Sequence, residues 1–126
     1  MQHWLLVRGT RDRLLPEQVD PASLRSHSST RRPSLQKNDL ALCYASGWQT
    51  IFAVVEVTGD PENDPDRDRW RWRFPIRPLA VVTDLRDAPP VEAAGIFTRS
   101  LGRHSYIRLT PEQFEAARAA IAEEAR

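Results

Sequence analysis

Two apolar runs, residues 40–45 (LALCYA) and 51–57 (IFAVVEV), are separated only by Ser46-Gly47-Trp48-Gln49, and no other feature narrows the possible folds as far. Each run is too short for an independent helix and rich in the branched and aromatic residues that fit a pleated surface. A parallel pair needs a crossover of a dozen residues or more, so a four-residue connection leaves an antiparallel hairpin. Both runs are apolar almost throughout, which places the hairpin in the core.

The remaining elements are read around that hairpin. Residues 4–8 (WLLVR) form a first strand, with RGTRDR as the loop after it. Asp20-Pro21 sets a capping residue before a proline and starts a short helix reaching Leu24. Residues 26–34, with four serines, a threonine, two arginines and a proline, read as a basic loop. Lys37-Asn38-Asp39 is a turn in which asparagine tolerates the left-handed conformation. The acidic stretch 59–68 is a surface loop. In RWRWRF, strand alternation puts Trp70, Trp72 and Phe74 on one face and Arg69, Arg71 and Arg73 on the other. Pro75 and Pro78 are expected to interrupt that strand, with extended chain resuming over Leu79 to Thr83. A short helical piece follows near Val91 to Ala94, then a last strand from Tyr106 to Leu109. Thr110-Pro111-Glu112-Gln113 has the capping-box pattern, and Phe114, Ala117 and Ile121 give the closing helix one apolar stripe. The class is α+β: a small mixed barrel, or a strongly bent sheet, closed by short helices.

A chain of 126 residues suits one domain, taken here as 1–126. No apolar run approaches the length of a membrane span. The first ten residues lack the apolar core and cleavage site of a signal peptide. Cys43 is the only cysteine, so no internal disulfide can form, and a cytoplasmic monomer is the expectation. The net charge of +1 hides an uneven distribution. Residues 60–68 carry Asp60, Glu62, Asp64, Asp66 and Asp68 against Arg67 alone, while Arg25, Arg31, Arg32 and Lys37 share a stretch without acids. Arginine forks onto phosphates and stacks on bases, so this clustering suits a nucleic-acid partner.

Chemistry concentrates in residues 99–109, RSLGRHSYIRL. Arg99, Arg103, Arg108, His104, Ser100, Ser105 and Tyr106 surround Gly102, more donors than a buried strand can satisfy. Such a set suits an anion or the edge of a nucleobase; the alternative is a solvated arginine-rich loop. Trp48, in a turn beside Ser46 and Gly47, offers a face on which a base can stack. Trp4 either does the same or belongs to the core. Tyr44, alternating with Leu40 and Leu42, reads as core, and Trp70 and Trp72 as the buried face of a one-sided sheet. A binding module is expected rather than an enzyme, with an acyl- or phosphodiester-hydrolysing enzyme as the third reading. His104 with Ser100 or Ser105 would then need an orienting carboxylate within hydrogen-bond reach, and Glu92 and Glu112, the nearest acids, sit in no recognisable motif. The three histidines lack metal-ligand spacing, there is no phosphate-binding glycine loop, and nothing calls for a cofactor.

Taken in order, HWLLV (3–7), LQKNDLALCYASG (35–47), TIFAVVEVTGDPEND (50–64), RWRWRFPIRPL (69–79) and LTPEQFEAARAAI (109–121) resemble the EVE domain of the PUA-like superfamily, which also contains the YTH and ASCH domains. The resemblance spans nearly the whole chain. It departs where many members carry a tryptophan after the first helix, since this chain reads RSHSSTRR there, and Asn38 stands where glycine is usual. The resemblance implies a PUA-like barrel and a module that recognises a modified or flipped-out base in DNA or RNA. On that expectation Trp4, Ser46, Trp48, Arg99, Ser100, Gly102, Arg103, His104 and Tyr106 build the base pocket. Arg25, Arg31, Arg32 and Lys37 meet phosphates. The alternative is a non-enzymatic domain binding another anionic molecule or protein.

Overall fold

A computed structural model describes residues 1–10, 12–96 and 106–125. Its strands are β1 (His3–Arg8), β2 (Ser26–Ser29), β3 (Leu40–Ala45), β4 (Thr50–Val57), β5 (Glu62–Asn63), β6 (Trp72–Val81) and β7 (Tyr106–Leu109). Short 3₁₀ helices occupy Pro21–Ser23 and Val91–Ala94, and the one α-helix among the described residues, α1, spans Pro111–Glu124. The sheet runs β2-β6-β4-β3-β1-β7, with β5 also paired to β6.

The hairpin β3–β4 lies at the centre, antiparallel as its short connection requires. Its turn uses Gly47 at φ 86 and Gln49 at φ 60. β1 lies parallel to β3, a pairing made possible by the long excursion between them, and β7 returns antiparallel to β1. Register shifts between Cys43 and Tyr44 and between Val54 and Val55 mark bulges, which bend strands and sharpen their twist. The result is a curled, mixed half-barrel. The closed barrel is not what forms: β2 and β7, at the ends of the strand order, do not pair among the described residues.

Helix α1 covers one face. Phe114, Ala117 and Ile121 are buried, and Phe114 meets the His3 ring at 4.5 Å between centroids. The capping box forms as expected: the Thr110 hydroxyl accepts from the Gln113 backbone, and the Gln113 side chain accepts from the Thr110 backbone. Asp20 likewise caps the first 3₁₀ helix, its carboxylate accepting from the Ala22 backbone at 2.9 Å.

Three local readings are corrected. Residues 26–29 are a strand, not loop: β2 pairs with β6 from Ser26 opposite Pro75 to Ser29 opposite Trp72. Small polar side chains carry no strand signature, but the backbone ladder does not require one. Pro75 and Pro78 do not interrupt β6. Pro78 sits beside the bulge opposite Val55, where a missing N–H is tolerated. The carbonyl of Pro75 still accepts from Thr58 at 3.0 Å. Finally, Trp70 has φ 50 and precedes β6, so the alternation holds only for Trp72, Phe74 and Ile76.

Candidate nucleic-acid interface

Strand β1 ends in Arg8, a guanidinium closing an otherwise apolar run. Its Nη1 donates to the Ser26 carbonyl at 2.7 Å and lies 3.4 Å from His27 Nδ1. Its carbonyl accepts from the Ser46 backbone at 2.9 Å. Arg8 therefore ties β1 to β2 on one side and to the β3–β4 turn on the other.

Arg8 lines a pocket of about 190 Å³ whose apolar walls are Leu15, Pro16, Val19, Leu24 and Phe52. Its other polar residues, Gln18, Asp20 and Ser23, come from the segment that follows β1. That segment is stitched down along its second half. Val19 donates to the Thr83 carbonyl at 2.7 Å, Leu85 donates to the Glu17 carbonyl at 2.8 Å, and Gln18 Nε2 donates to Asp84 at 3.0 Å. Arg86 adds exposed ion pairs to Glu17 and Asp84. The Arg86 hydrogen bonds hold the Asp84 carboxyl far below its ordinary range. Ahead of these ties, Leu14 lies directly over Gly47, where any Cβ would collide with it. The Trp48 indole N–H donates to the Leu15 carbonyl at 3.0 Å.

Among the described residues singled out from the sequence, Trp4, Ser46, Trp48 and Tyr106 do not line this pocket. Arg99, Ser100, Gly102, Arg103 and His104 lie outside the described residues. Trp4 is 3% exposed, and its Nε1 donates to Asp39 Oδ2 at 2.9 Å. Tyr106 meets it edge-on at 5.8 Å between centroids. In this conformation neither face of the Trp4 indole is open to stacking. Trp48 is half-buried and does not line this pocket, although its indole N–H is tied to the carbonyl of Leu15, which does. Ser46, 7% exposed, touches the site through its backbone bond to Arg8. No aromatic cage forms among the described residues; Phe52 is the one aromatic lining this pocket. Sequence reasoning missed Arg8 and the Leu15–Leu24 wall. The available signal was an arginine followed by glycine directly after the apolar run Trp4 to Val7.

Of the expected phosphate ligands, Arg25, Arg31, Arg32 and Lys37 are all exposed. Arg25 flanks β2, its Nε donating to the Ala22 carbonyl at 3.0 Å. Arg31 and Arg32 follow β2 directly, and Arg32 lies over the Trp72 ring at 5.6 Å. Lys37 sits elsewhere, its backbone N–H facing Asp60 in the acidic loop at 3.4 Å. Cys43 is buried in β3; burial pushes its thiol up to about 11 despite the nearby charge of Arg8, so it is neither a nucleophile nor a ligand at neutral pH. The described residues contain no cluster of His, Cys, Asp or Glu able to hold a metal ion. No helix among them is long and apolar enough to cross a membrane.

No family model matches the chain, and no curated protein matches its sequence. Solved structures match its shape. Protein Atu2648 from Agrobacterium tumefaciens superposes with a TM-score of 0.63 at 18% identity, over 95% of this chain and 93% of that one. Rpa0253 from Rhodopseudomonas palustris gives 0.62 at 15% identity, over 98% and 93%. Human THYN1, solved in complex with DNA containing 5-methylcytosine, gives 0.56 at 14% identity, over 100% and 99%. At these identities the likeness is one of fold.

Proposed function

We propose that this protein is a binding module for nucleic acid that admits one extruded base into the Arg8 pocket and holds the flanking phosphates with exposed arginines. One observation carries the reading. The same Arg8 that lines the pocket is bonded through Nη1 to the first residue of β2, and β2 runs straight into Arg31 and Arg32. Pocket and cationic loop are thus joined by one strand. An arginine that carries no ion pair among the described residues, set in an apolar pocket, calls for a ligand that supplies acceptors. The fold shared with a protein solved on methylated DNA and the resemblance to EVE domains support the same class of partner.

The pocket volume of about 190 Å³ falls below the roughly 300–1,000 Å³ typical of sites for drug-sized ligands. It suits one ring system rather than a whole nucleotide, as a flipped base requires. Arginines outside the pocket would fix register without reading sequence. The test is a salt titration of oligonucleotide binding. Replacing Arg31 and Arg32 together by glutamine should flatten the slope of log affinity against log salt by about 1.4–1.8, the value for two phosphate contacts. An unchanged slope removes the loop from the interface.

A further inference from the structure

Resting on that reading, we infer that the extruded base is guanine, recognised through its O6 and N7 by the Nε and Nη2 fork of Arg8. The inference follows from which hydrogen-bonding atoms in the pocket are already occupied. Arg8 Nη1 is committed to Ser26 and His27, whereas Nε and Nη2 have no partner among the described residues. The anchored Nη1 fixes the plane of the guanidinium, so the remaining N–H groups form an oriented, paired donor. The Ser23 hydroxyl is used internally, donating to the Asp20 carbonyl at 2.6 Å. Asp20 Oδ1 accepts from Ala22, which leaves Oδ2 as an acceptor. Gln18 donates its amide to Asp84, which leaves its own oxygen as an acceptor.

Among the described residues the unspent capacity is therefore one paired donor and two acceptors. A matching base must carry two adjacent acceptors on one edge and donors on another. Guanine offers O6 and N7 to an arginine fork, while its N1–H and amino group supply donors. Adenine sets an amino donor beside N7, against the arginine's own donors. Cytosine has a single donor group for two acceptors, and a 5-methyl group adds no hydrogen bond at all.

The experiment is a fluorescence-anisotropy competition using short single-stranded oligonucleotides that differ only at a central guanine, 7-deazaguanine, adenine, cytosine or 5-methylcytosine. The parent protein is compared with Arg8→Lys and Arg8→Gln, each checked for its melting temperature because Arg8 also braces β2. The guanine strand should bind roughly 5- to 150-fold more tightly than the others, including 7-deazaguanine, which lacks only N7. Both variants should lose that preference and keep salt-dependent affinity for all strands. The 7-deazaguanine comparison changes the ligand alone, so it decides the matter even where a variant unfolds. A parent that binds every strand alike, or favours 5-methylcytosine, overturns the guanine assignment while the nucleic-acid reading stands. A parent that binds none of them overturns both.

Discussion

Replacing Asp39 should destabilise this fold more than replacing any exposed carboxylate. The Asp39 side chain is 5% exposed and gathers three donors. Gln2 N–H reaches Oδ1 at 3.1 Å, while Trp4 Nε1 and Gln36 N–H reach Oδ2 at 2.9 and 3.0 Å. These bonds join the chain before β1, β1 itself and the turn into β3. Burial alone would raise the carboxyl's pKa, but the bonds from Gln2, Trp4 and Gln36, helped by the N-terminal charge, bring it below its ordinary 3.8. Hydrogen bonds to a charged group contribute about 1.5–3 kcal/mol each. Asp39→Asn keeps one oxygen for Trp4 and Gln36 but turns an NH₂ toward the Gln2 N–H, so it should cost about 2–3 kcal/mol. Asp39→Ala strands the buried indole N–H as well and should cost about 3–5 kcal/mol, a large share of a stability of about 5–15 kcal/mol. Urea denaturation measures both, and a cycle with Trp4→Phe isolates the indole bond at about 1–3 kcal/mol of coupling. The pH dependence has a fixed sign. A carboxyl depressed on folding stabilises fully above 3.8, and that increment disappears as pH falls through the lower folded value. Asp39→Asn should lack this acid-sensitive increment. An Asp39→Asn protein within about 0.5 kcal/mol of the parent at neutral pH would refute the reasoning.

Two further predictions concern the core. Phe114→Ala opens the interface between α1 and the sheet and should cost about 3–5 kcal/mol, whereas Thr110→Ala, which removes half of an exposed capping box, should cost about 1 kcal/mol; equal melting temperatures for the two would show that α1 is not docked. Cys43, buried with its thiol pushed up to about 11, should resist maleimide at pH 7.5 in the native state and react promptly in urea, and rapid native labelling would contradict the placement of β3.

Much of the fold was legible because its central elements obey local rules. The β3–β4 hairpin is announced by two apolar runs and a short connection, and α1 by a complete capping box. β2 was not legible: Ser26, Ser28 and Ser29 have no strand propensity, and the pairing depends on β6 arriving from nearly fifty residues later. Prolines read as breaks in β6 because sequence does not reveal where a bulge will leave an N–H unneeded. For the site, the cationic flank of Arg25, Arg31 and Arg32 was visible as a charge run. The Arg8 pocket was not, because its walls come from Leu15 to Leu24 and Phe52, which carry no local signal, while Trp4, left open between stacking and core, is buried with its indole N–H on Asp39. Arg8 looked like the mere end of an apolar strand until β2 was seen to bond it.

The central claim is that the Arg8 pocket and the loop after β2 form one nucleic-acid interface, and an amide NMR titration with a short guanine-containing single strand tests it most directly. The account predicts saturable shifts concentrated at Arg8, Leu15, Gln18, Val19 and Asp20 around the pocket and at Arg31 and Arg32 beside it, weakening as salt is raised. Shifts confined to α1 or the acidic loop at 59–68, or none at low salt, would contradict it.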